Sequence, residues 1–284
     1  MQEGRPSRTA FGVARRRAAH QLLDHQPLVL NDPIAVPILG SGTTESILAE
    51  REKQAHPFAC AMRAFMVARS RYAEDHLRAA YSAGVRQYVV LGAGLDTFAY
   101  RNPFPDLRVF EVDHPATQQW KRELLATAAI PLRDTLTFAP VNFERQSLAD
   151  GLALTSFDFH QPAFFSWLGV TPYLTFEAFR ATIHVIAQMP AGSGVSFEYA
   201  LPRELLNERE RAVFDHLAGR VEQAGEPFQL FFMPEEMNHE LRSQGFNEIE
   251  ELAAADINAR YFADRRDGLR LYGGTARLTT AWRR

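Results

Sequence analysis

The chain has 284 residues, of which 46% are hydrophobic and 23% charged, the balance of a globular protein with enough apolar surface for one large core. A net charge of −3 excludes a basic nucleic-acid footprint, and the single cysteine, Cys60, excludes an internal disulfide framework and suits a reducing cytoplasm. Arg5, Arg8 and Arg15-Arg16-Arg17 have no apolar segment behind them to make a secretory signal, and the longest nearly apolar run, Ala163 to Leu174, is too short to span a bilayer.

In chain order, Thr9 to Asp24 reads as an amphipathic helix whose triple arginine forms a solvated face, contact with an acidic substrate being the minor alternative. Pro33 breaks the pattern, a small helix follows around Ile34 to Leu39, and a Gly-Ser-Gly-Thr loop runs from Gly40 to Thr43. Residues 1–56 are too few to stand alone and are expected to lie as a helical lid over a main domain of residues 57–284. Phe58 to Tyr81 is a long helix with Ala61, Phe65, Ala68 and Tyr72 inward, closed by Gly84. Strands are expected at Gln87 to Leu91, Leu107 to Val112, Leu136 to Val141, Ala163 to Leu168 and Gly194 to Tyr199. Helices fall between them at Pro115 to Ala129, with Asp113 or His114 as the cap, and at Thr175 to Met189. A charged helical insertion spans 202–235, a helix covers Pro234 to Arg242, and Phe246 to Leu252 and Leu269 to Trp282 are the last strands. The fold class is α/β with a mostly parallel sheet.

The chemistry concentrates between Gln87 and Asp113. The first strand runs into Gly92-Ala93-Gly94-Leu95-Asp96-Thr97, where glycines permit a sharp turn and close approach to a ligand. Asp113 ends the second strand nineteen positions after Gly94, where a carboxylate can accept from both ribose hydroxyls of a nucleoside. A Gly-x-Gly alone is also any tight turn; the spaced acid is what points to a cofactor. Thr97 stands where a dinucleotide fingerprint has its third small residue, and Asp96 puts negative charge where a diphosphate would lie. Both disfavour an NAD-type oxidoreductase and favour a cofactor without phosphates, such as S-adenosylmethionine.

The run Val89 to Arg101, with Val109 to Pro115, resembles the leucine carboxyl methyltransferase-like family of S-adenosylmethionine-dependent methyltransferases, as do Thr9-Ala10 through Pro33, Arg69-Ser70-Arg71-Tyr72 and Ser166 through Thr175. The resemblance implies a class I, Rossmann-like sheet of seven strands with an antiparallel last strand, and O-methylation of a small-molecule carboxylate or phenolic hydroxyl. Carboxyl methylation of a protein C-terminus and a non-catalytic cofactor-binding scaffold are the alternatives. Cofactor contacts are then expected from Gly92, Ala93, Gly94, Asp96, Asp113, Asn142 and Phe143, with Arg71 preferred over Arg69 as the clamp on the methionine carboxylate. Two family acids are replaced here, one by Asn142 beside the adenine and one by Leu168 before Gly169. Tyr173 is expected to line the substrate pocket; His160, His184 and His216 are weaker candidate bases, and His239 and Glu240 are too isolated to hold a metal. The expected partner is a small molecule, not a nucleic acid or membrane, and a homodimer stays open.

Overall fold

The computed structural model describes residues 8–143, 146–223 and 225–284; Arg5, named above, and Glu144, which follows Phe143, lie outside them. Every residue of β1 (Gln87–Leu91) is buried. The reason is its place in the sheet: β1 pairs in parallel with β2 (Arg108–Asp113) on one side and β4 (Phe164–Trp167) on the other. β3 (Leu136–Pro140) extends the sheet beyond β2, and β5 (Gly194–Ala200) beyond β4, again in parallel. β7 (Ala276–Trp282) pairs antiparallel with β5 and with β6 (Glu248–Leu252), which gives the order β3-β2-β1-β4-β5-β7-β6. The expected antiparallel finish is present. The last strand, however, starts only at Ala276; Leu269 and Leu271 are buried as loop residues rather than paired.

Alternation along β1 sorts the core into two layers. Val89 and Leu91 pack with α7 (Leu148–Ala153), α8 (Phe176–Ala187) and α10 (Pro234–Ser243) through Leu152, Phe179, Ile183 and Leu241. Tyr88 and Val90 face α4 (Pro57–Ser82), the short α5 (Phe98–Arg101) and α6 (Pro115–Thr127) through Leu77, Phe98 and Leu125. Each such apolar side chain stabilises the fold by about 1.5–3 kcal/mol on burial. α9 (Glu208–Gln223) is the charged insertion after β5, and α11 (Ala254–Tyr261) packs with the first half of α4. Among the described residues, no helix is long and apolar enough to cross a membrane.

The N-terminal segment comprises α1 (Arg8–Leu23), α2 (Thr43–Ala49) and α3 (Arg51–Gln54). α1 is fastened to α4 at its far end, where Arg63 grips Asp24 with two 2.8 Å hydrogen bonds and His20 adds a third contact to Asp24 at 2.7 Å. The expected helix at 34–39 is a single 3-10 turn over Pro37–Leu39.

The chain runs out from β1 to β3, then returns to β4 on the other side of β1. That reversal opens a crevice above the carboxyl ends of β1 and β4, the place where open α/β sheets bind ligands.

Candidate active site

The loop after β1 forms one wall of the crevice. Gly92 and Gly94 have φ of +64° and +45°, in the left-handed region where a side chain is strained. Space is tight as well: a Cβ on Gly92 would overlap the Val170 methyl, and a Cβ on Gly94 would sit 3.2 Å from the Ala10 Cβ on α1, which would have to give way by a few tenths of an ångström. The Ala93 amide donates to the Val112 carbonyl at 3.0 Å and ties the loop to β2.

Asp113 comes to the same spot from the end of β2. Its Oδ2 accepts from the Gly94 amide at 2.5 Å and its Oδ1 from the His114 amide at 2.6 Å. Burial pushes its pKa up against the opposing pull of those two amides. Each oxygen keeps further lone-pair capacity for ligand hydroxyls. His114 is spent elsewhere, its Nδ1 capping α6 by accepting from Ala116 at 3.2 Å.

Asp96 does not stand as a free charge. Its Oδ1 accepts from the Phe98 amide at 2.8 Å, opening α5, and its Oδ2 lies 3.5 Å from Arg17 Nη1. Arg17 also donates to the Leu95 carbonyl and approaches Asp32, which itself accepts from the Thr97 hydroxyl at 2.6 Å. The charge argument against a diphosphate is therefore offset by Arg17, whereas the size argument at Thr97, fully buried, stands.

The arginine preferred from sequence points away. Arg71 is 43% exposed and pairs with Asp75 one turn along α4. Arg69 is the buried one: its Nη1 donates to Glu198 Oε1 at 2.6 Å, and a Cβ on Gly169 would lie 2.9 Å from its Nη2. Glu198 Oε1 also accepts from the Gly169 amide at 2.6 Å, while its Oε2 is buried without a hydrogen-bond partner among the described residues. Glu198 was missed in sequence, although an acid inside the apolar run Val195-Ser196-Phe197-Glu198-Tyr199 is a signal, since buried carboxylates occur almost only when paired. Leu168 supplies no carboxylate after β4; Glu198 brings one to the same loop from β5.

The remaining candidates differ in exposure and in their partners. Phe143 is 49% exposed beyond the end of β3, next to the half-buried Asn142. Tyr173 sits beside Phe228 with ring centroids 5.3 Å apart, and burial pushes its hydroxyl up to about 12, with the Arg69 charge pulling the other way. His184 faces Gln244 at 3.2 Å on the surface, His160 lies in an exposed loop, and His216 stacks edge-on against Phe58. No group of three or more His, Cys, Asp and Glu among the described residues could hold a metal ion.

Comparison with known proteins places this geometry. The family model described as leucine carboxyl methyltransferase matches residues 10–187. The chain is 37% identical over 206 residues to YktD of Bacillus subtilis (strain 168), a candidate S-adenosyl-L-methionine-dependent methyltransferase, covering 72% of this chain and 67% of that one. A candidate methyltransferase of the same description from Mycolicibacterium paratuberculosis is 33% identical over 219 residues, covering 72% and 68%. Among solved structures, a candidate methyltransferase from Thermobifida fusca YX superposes with a TM-score of 0.59 at 16% identity, covering 100% of this chain and 97% of that one, and shares its fold. With the family match spanning more than half its length, the chain belongs to the leucine carboxyl methyltransferase family of S-adenosylmethionine-dependent methyltransferases.

Proposed function

We propose that this S-adenosylmethionine-dependent methyltransferase methylates oxygen, on a carboxylate or a phenolic hydroxyl of a small molecule. The observation that carries the cofactor placement is the pairing of two unlike groups across the crevice. Asp113, braced by two backbone amides, suits the ribose hydroxyls. At the other end Arg69 has spent one of its guanidinium donors on Glu198, and the orphaned Glu198 Oε2 lies beside it. A zwitterionic amino-acid head satisfies both, its carboxylate on Arg69 and its ammonium on Glu198. Phe143 offers an apolar face for the adenine and Asn142 an amide for its edge. The cofactor supplies an electrophilic methyl group when bound.

The chain's own contribution is position and water exclusion, worth several powers of ten when nucleophile and methyl are held in line. Ala10 of α1 closes over Gly94, and residues 8–56 serve as the covering segment. Acidity of the acceptor follows from the supply of bases. Tyr173 holds its proton and His114 is a helix cap, so an acceptor that is ionised already, or nearly so, fits best. The test is methyl transfer to a panel of phenols, carboxylic acids, amines and thiols, read by mass spectrometry of the product. Methylation at oxygen is expected; transfer confined to nitrogen or sulfur would contradict it.

A further inference from the structure

Behind the glycine loop lies a set of buried charges that the cofactor placement leaves without a task. Asp32, in the segment that follows α1, is fully buried. Its Oδ2 accepts from the Thr97 hydroxyl at 2.6 Å and its Oδ1 from the Ile34 amide at 3.2 Å. Two arginines stand around it, Arg101 with Nε 3.4 Å from Oδ1 and Arg17 with Nε 3.8 Å from Oδ2. Arg101 also reaches α4, where its Nη1 donates to Glu74 Oε2 at 2.9 Å and its Nη2 to Glu74 Oε1. The backbone of Asp32 is fixed from the opposite direction. Its amide donates to Gln21 Oε1 on α1 at 3.0 Å, and Gln21 Nε2 donates to the Leu30 carbonyl at 2.9 Å.

Asp32 is thus in touch with α1, with the glycine loop and with α5 at once. Thr97, also fully buried, is the last residue of that loop and the N-cap position of α5. A short loop with two glycines has many backbone states open to it, so the geometry that brings the Gly94 amide to Asp113 needs fixing from outside the loop. Stability alone does not call for buried charges here, because apolar residues of like volume often pack an interior as well as or better than a buried ion pair. Position does. Apolar contact has no direction, whereas a hydroxyl donating to a carboxylate fixes both distance and angle.

We infer that Asp32 is a positioning residue for the cofactor: through Thr97 it sets the shape of the glycine loop, and through Gln21 and Arg17 it ties that shape to the docking of α1. This rests on the cofactor placement proposed above and deepens it. Fully buried, Asp32 acts through the loop and not on the cofactor. Cofactor binding and docking of the N-terminal segment then favour each other, and linkage makes the two effects equal.

The test is calorimetric titration of the full chain with S-adenosylhomocysteine, on wild type, Thr97→Val, Thr97→Ser and Asp32→Asn. Thr97→Val keeps the branched shape and loses the hydroxyl, and should weaken binding about tenfold. Thr97→Ser keeps the hydroxyl and should stay within about threefold of wild type. Asp32→Asn weakens the same contact from its other side and should also lose affinity. The variant carrying both Asp32→Asn and Thr97→Val should lose no more than the larger single loss, because the two act through one bond. Either single variant decides the matter if the other does not fold. Trypsin cleavage after Arg51 and Lys53, both exposed on α3, is the second readout. S-adenosylhomocysteine should slow it about fivefold or more in the wild type, and at saturation leave it nearly unchanged in Thr97→Val. A purely structural role would lower the melting temperature while affinity and protection stayed as in the wild type, and that result would overturn the inference. So would a loss in Thr97→Ser equal to that in Thr97→Val. Failure of the wild type to bind S-adenosylhomocysteine would instead overturn the cofactor placement beneath it.

Discussion

Arg69 and Arg71 are two residues apart on one helix and so about 200° apart around its axis. One must face the sheet and the other the solvent. Phe65, Arg69 and Tyr72 follow one another at spacings of four and three, which puts Arg69 on the inward stripe already marked by its apolar members. Arg71, with Asp75 one turn on, has the spacing of a surface ion pair, which contributes about 0–1 kcal/mol. Arg71→Ala is therefore expected to leave S-adenosylhomocysteine affinity unchanged and the melting temperature nearly so. Arg69→Ala also strands Glu198 in the interior, so the informative variant is Arg69→Ala with Glu198→Ala, which should lose affinity by about two powers of ten, from charge-assisted bonds of some 1.5–3 kcal/mol. Calorimetry on the purified variants distinguishes them, and a loss confined to Arg71→Ala would reverse the assignment. The periodicity of α4 favours Arg69, although Arg71 was the residue preferred from sequence; what periodicity could not show was Glu198, because its partner lies 129 positions away and only the tertiary fold brings them together.

At the scale of elements, the strands flanking the glycine loop were the most legible, because buried parallel strands are short apolar runs ending in glycine or an acid. β1 has the bounds read from sequence, and β2 and β3 are within a residue or so of them. Short helices were not legible. α7 follows a capping box, Ser147 Oγ accepting from the Asp150 amide at 3.1 Å and Asp150 Oδ2 from the Ser147 amide at 3.1 Å, yet six residues show too little periodicity to recognise. α1 was placed correctly while its arginines were not, since a solvated face describes Arg15 alone. Arg17 holds α1 to the glycine loop through a buried set of Asp32, Asp96 and the Leu95 carbonyl. Removing one member of such a set leaves buried charge uncompensated, so Arg17→Met is expected to destabilise the protein by about 3–5 kcal/mol. Arg15→Ala, at an exposed pair, should cost under about 1 kcal/mol. Chemical denaturation compares the two, and equal losses would show that Arg17 is not what fastens α1.

At the scale of the molecule, the parallel sheet with its reversal beside β1 gathers residues from positions 10 to 198 at one crevice. The sequence order of strands and the family resemblance made that sheet legible in advance. The Asp113 position was legible for a physical reason: a β-loop-α-β unit has nearly fixed dimensions, so spacing along the chain translates directly into spacing in the crevice. The cavity of about 380 Å³ beneath α9 lacked any such rule, because α4, α9 and the loop before β7 meet there from distant parts of the chain.

The central claim is that Gly94 and Asp113 present a nucleoside cofactor without a diphosphate to the crevice. The direct measurement is calorimetric titration of wild type and Asp113→Ala with S-adenosylmethionine and, separately, with NADH. Saturable binding of S-adenosylmethionine by the wild type is predicted, weakened about a hundredfold in Asp113→Ala by loss of two charge-assisted hydrogen bonds, with no binding of NADH by either. Binding of NADH, or S-adenosylmethionine binding untouched by the substitution, would contradict it.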